Sequence, residues 1–206
     1  LEQTHAQNAI EALKESAAQM LEHTGETGEA VLLLQQMRDW ASVARLIKAH
    51  AEQMIDQGRW QTVQTWFEGL PEALQAQDAD LLLWSGMSHV GSDPRKAREL
   101  LTRADNLYKT AGNASGMVRA AHALCDLTFI LDGSLEQLRP IKAVLEQVAA
   151  PGAQLPVAVQ RQAYAAYLDI ATVMGGHHAL TEQTLAAAQE QLRSANLSIN
   201  QRININ

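Results

Sequence analysis

Three observations make this sequence that of an all-α protein. Ala and Leu dominate its apolar residues, Gln is plentiful, and only 4% of the 206 residues are aromatic. Such side chains lose little rotamer freedom in a helix, whereas strands favour β-branched and aromatic ones. Apolar positions recur at helical spacing, and turn residues interrupt them at regular intervals. With 47% hydrophobic and 19% charged residues, the chain is globular in composition and long enough to bury a core.

The first helix is expected from about Ala6 to His23, with Ala6, Ala9, Ile10, Leu13, Ala17, Met20 and Leu21 on its inner face. Gly25-Glu26-Thr27-Gly28 breaks it; without a Lys or a preceding strand this is a helix–helix turn and not a phosphate loop. A short helix over Ala30 to Gln36 follows. Asp39 then caps a third helix carrying Val43, Ala44, Ile47, Ala51, Met54 and Ile55, which Gly58 ends as a left-handed residue. Trp60, Val63, Phe67 and Leu70 form the inner edge of the next, up to Gly69-Leu70-Pro71. A fifth helix spans roughly Ala79 to Val90.

Asp93-Pro94 opens the sixth, with Asp as cap and Pro at the first position, where a missing N–H costs nothing. Ala97, Leu100, Leu101, Ala104, Leu107, Tyr108 and Ala111 give it the cleanest stripe in the chain. Gly112-Asn113 leads into a seventh, about Ser115 to Leu131. Ser134 and Gln137 read as a capping box for an eighth, ending near Val148, with Pro140 imposing a kink or a late start. Pro151-Gly152-Ala153-Gln154 breaks the chain before a ninth helix, about Pro156 to Met174. After Gly175-Gly176 comes a tenth, about Leu180 to Ser194, and another can begin near Ile199.

Short connections force neighbouring helices antiparallel. The first helix of each pair begins near residues 6, 40, 79, 115 and 156, so successive pairs are 34 to 41 residues apart, the range of tetratricopeptide-type repeats. The pattern implies one helical-repeat domain over 1–206, with pairs at about 6–36, 40–70, 79–111, 115–148 and 156–195. The expected architecture is a right-handed α–α superhelix of about five antiparallel pairs, in degenerate tetratricopeptide-like repeats. Each pair has two apolar faces and buries one by stacking on the next. A start without Met suggests a piece of a larger protein.

Net charge is −7, from 16 Lys and Arg against 23 Asp and Glu. The densest basic cluster is Arg95-Lys96-Arg98, too little to neutralise a run of phosphates, so direct nucleic-acid contact is not expected. The single cysteine, Cys125, precludes an internal disulfide and fits a reducing compartment. No run of about 18 apolar residues offers a membrane span. The start, Leu1-Glu2-Gln3-Thr4-His5, is no signal peptide. A cytoplasmic protein is the expectation.

One ordered series goes beyond periodicity: Asp39-Trp40, Ala44-Arg45-Leu46-Ile47, Gln57-Gly58-Arg59, and Thr65-Trp66-Phe67-Glu68-Gly69-Leu70-Pro71. Over about residues 6–150 the chain resembles the helical region of MalT-like, LuxR-type ATP-dependent transcription regulators of the STAND ATPase group. Asp93-Pro94-Arg95-Lys96-Ala97-Arg98, Tyr108, Gly112-Asn113 and Gly116 look like that region's next repeat. The resemblance implies a sensor or scaffold within a bacterial signal-transduction protein. It would bind a small-molecule inducer or a partner protein and act on ATPase and DNA-binding domains of the same full-length chain. Neither a Walker phosphate loop nor a helix-turn-helix with a basic recognition helix occurs here. The alternative is a helical scaffold or adaptor for protein–protein interaction, unrelated to transcription.

No catalytic residue, metal ligand or cofactor is expected. Adjacent helical residues point about 100° apart, so His177-His178, with no carboxylates or thiols beside it, is not a zinc site. Cys125, three residues from His122, reads as a packed thiol and not as a nucleophile. Trp40, Trp60 and Trp66 are expected to wedge between helices, while Trp84 is a candidate for lining a groove. The best binding candidates are Arg119, His122 and Asp126, spaced by three and four on one face of the seventh helix, opposite Leu124, Leu127 and Leu131. Tyr164 and Tyr167 continue that surface one repeat later. The plainer reading of the face is a solvated one closed by an Arg119–Asp126 pair.

Overall fold

The architecture is that of a computed structural model, which describes residues 2–131, 133–148 and 155–174. Among these residues are ten α-helices and no strand. They are α1 (Glu2–His23), α2 (Thr27–Met37), α3 (Trp40–Asp56), α4 (Trp60–Phe67), α5 (Glu72–Gln77), α6 (Ala79–His89), α7 (Pro94–Ala111), α8 (Ala114–Ile130), α9 (Leu135–Val148) and α10 (Val157–Met174). The expected break at 151–154 and the helices placed near 180–194 and 199 lie outside the described residues, as do His177 and His178.

Helix ends follow the turn chemistry closely. Asp39 accepts from the Ser42 N–H, Asp78 from Asp80 and Leu81, Asp93 from Lys96 and Asn113 from Gly116. Each anchors a helix start by satisfying N–H groups that have no intrahelical acceptor. At the other end, Gly25, Gly58 and Gly112 adopt positive φ. At Gly58 its own N–H bonds the Ile55 carbonyl, and that of Arg59 bonds Met54, the two-bond Schellman closure. Arg38 makes the same closure at φ 57°, the one positive-φ residue other than glycine among those described. Pro140 lies inside α9 five residues after its start, so a late start does not occur.

The chain gathers into two compact units, 1–100 and 101–206. In the first, α3, α4 and α5 all contact α6. Enclosed on so many sides, α6 is buried from Leu81 through Gly86 and again at Ser88. A helix apolar all round is an interior helix. Trp84 is therefore core, 3% exposed, and the groove-lining expectation for it is corrected. Trp66 wedges as expected and is buried. Trp60 does not: it leans on Gly91, where a Cβ would meet its ring, yet stays 40% exposed. The amide of Gln35 on α2 donates to the carbonyls of Thr65, Trp66 and Glu68, satisfying the otherwise open end of α4.

The inner face expected for α1 is corrected at Leu13, Ala17 and Met20; Leu21 is half-buried, and the side chains of Ala6, Ala9 and Ile10 lie outside the described ones. Ala18 is buried, while Leu13 and Met20 are 75% and 69% exposed and Ala17 faces solvent. The first helix contacts α2, and Arg45 of α3 reaches Glu22 with both guanidinium nitrogens, at 2.6 and 3.2 Å. Those contacts draw the Ala18 and Glu22 side inward and leave Leu13, Ala17 and Met20 outside.

In the second unit α8, α9 and α10 contact one another in every pairing. Their shared core includes Val118, Cys125, Leu138, Leu145, Ala163 and Ile170. Tyr108 covers Gly116 at the start of α8; a Cβ at Gly116 would lie 2.5 Å from the Tyr108 Cγ and closer still to two other ring atoms.

Candidate functional site

The polar face of α8 forms because its two flanks are occupied. Val118, Ala121 and Cys125 point into the core shared with α9 and α10. Ala120, Ala123 and Leu127 are buried on the other flank. Arg119, His122 and Asp126 lie between the flanks, partly exposed. Leu124 and Leu127 turn inward as expected, whereas Leu131 is 36% exposed.

The expected Arg119–Asp126 pair is not formed. Seven residues of helix separate the two by about 10 Å along the axis. Asp126 instead faces His122, with 3.7 Å between Oδ2 and Nδ1. The Nε of Arg119 is buried with no acceptor. A buried donor left unmade costs about 1–3 kcal/mol.

Helix α10 contributes two residues that sequence reasoning missed, Gln162 and Asp169. Burial raises the Asp169 carboxyl above its ordinary range, Asp126 raises it further, and His122 opposes both. Burial likewise raises Asp126, with His122 pulling the other way. Asp169 thus feels the charges of Asp126 and His122 on α8, the helix that α10 contacts. Gln162, two turns before Asp169, has a buried Oε1 without a donor. The signal was present: Gln162 and Asp169 repeat the seven-residue spacing of Arg119 and Asp126.

The tyrosines do not continue this surface. Tyr167 is 4% exposed, in the core against α9, with the Lys142 ammonium 5.5 Å from its ring centre. Tyr164 is half-buried, and its place five residues before Asp169 sets it about 140° round the helix. The expectation for both is corrected: their side of α10 lies away from the seam that holds Asp169.

Cys125 is fully buried and its Sγ approaches the Ala166 carbonyl at 3.9 Å. Burial first, then the charges of Asp126 and Asp169, push the thiol up to about 12. Nucleophilic chemistry needs the thiolate, so near neutral pH this group is packing. Among the described residues no group of three or more His, Cys, Asp or Glu could hold a metal ion. None of their helices is long and apolar enough to cross a membrane.

Family models, curated proteins and solved structures were compared with the chain, and none matches.

Proposed function

We propose that the chain is a non-catalytic sensor or interaction domain of a bacterial signal-transduction transcription regulator, with the α8–α10 face as its binding surface. The observation that carries the binding role is the polar face of α8, where Arg119, His122 and Asp126 are partly exposed together between two buried flanks. The regulator assignment rests on the ordered motifs from Asp39 to Pro71. In this reading the helix pairs stack as a tetratricopeptide-like superhelix in the cytoplasm, and this face is on its concave side. An inducer or partner favours one curvature and so biases ATPase and DNA-binding domains elsewhere in the full-length chain.

A second reading, a protein-binding adaptor outside transcription, draws on Leu13, Ala17 and Met20, an exposed apolar stripe at helical spacing on α1.

A thermal-shift screen of a metabolite library tests the first reading. A compound at a hundred times its Kd adds about 2.7 kcal/mol, roughly 5–10 °C for a chain this size. Stabilisation of the wild type but not of Arg119→Gln or Asp126→Asn is expected. Hits that stabilise all three proteins equally would remove this face from the proposal.

A further inference from the structure

We draw no further inference here: the strongest candidate, the outer face of α1 with Leu13, Ala17 and Met20 exposed at helical spacing, is an apolar helix face, and nothing among the described residues shows what covers it.

Discussion

Adding one methyl group at Gly116 tests how closely the end of α7 is fitted to the start of α8. The new Cβ would fall 2.5 Å from the Tyr108 Cγ and nearer to two more ring atoms, inside any ordinary carbon–carbon contact. Tyr108 is 2% exposed, so its ring has no free space to enter. Overpacking of this kind costs roughly 1–3 kcal/mol. At 2–4 °C per kcal/mol, Gly116→Ala is expected to lower the melting temperature by about 2–12 °C. The informative step is the second background. Tyr108→Ala alone costs about 3–5 kcal/mol, as for other buried aromatics, but empties the space over residue 116. Ala is then the better helix former by about 1 kcal/mol. Gly116→Ala is thus expected to stabilise Tyr108→Ala while destabilising the wild type. Calorimetry of the four proteins decides it. The same sign in both backgrounds would refute the contact.

Arg38 holds a left-handed closure without glycine's freedom, so Arg38→Gly is expected to raise stability by about 0.5–1 kcal/mol in urea titration. Gln35→Leu removes the amide that serves three carbonyls at the end of α4 and is expected to cost about 1–3 kcal/mol by the same assay. The Asp126 and Asp169 carboxyls are raised in the folded chain, so their contribution favours folding at low pH and is lost as pH rises through the raised range. Asp169→Asn is accordingly expected to melt above the wild type at neutral pH, with the gap closing at about pH 3, where both carboxyls are protonated. Cys125, buried and held protonated, is expected to resist a thiol reagent at about pH 8 until the chain unfolds.

The helix starts were legible because capping is local: Asp39, Asp93 and Asn113 each act on a backbone N–H three residues on. Periodicity located the helices well but not always their inward side. On α1 Leu13, Ala17 and Met20 stay outside while Ala18 is buried and Glu22 is tied to Arg45. The six-residue α5 was missed, being too short to show a period. Trp84 was misread because apolar residues on all sides signal an interior helix and not an open groove. The spacing of three and four set Arg119, His122 and Asp126 on one face of α8, where they are partly exposed. Gln162 and Asp169 escaped because their role depends on α10 lying against α8, a contact between residues some 40 positions apart, as with Cys125 and Ala166.

Hydrogen–deuterium exchange on the chain with a bound, stabilising ligand or peptide tests the binding face most directly. Slowed exchange is expected along α8 around Arg119 to Asp126 and along α10 around Gln162 to Asp169. Protection confined to α1 and α2, with α8 and α10 unchanged, would contradict it.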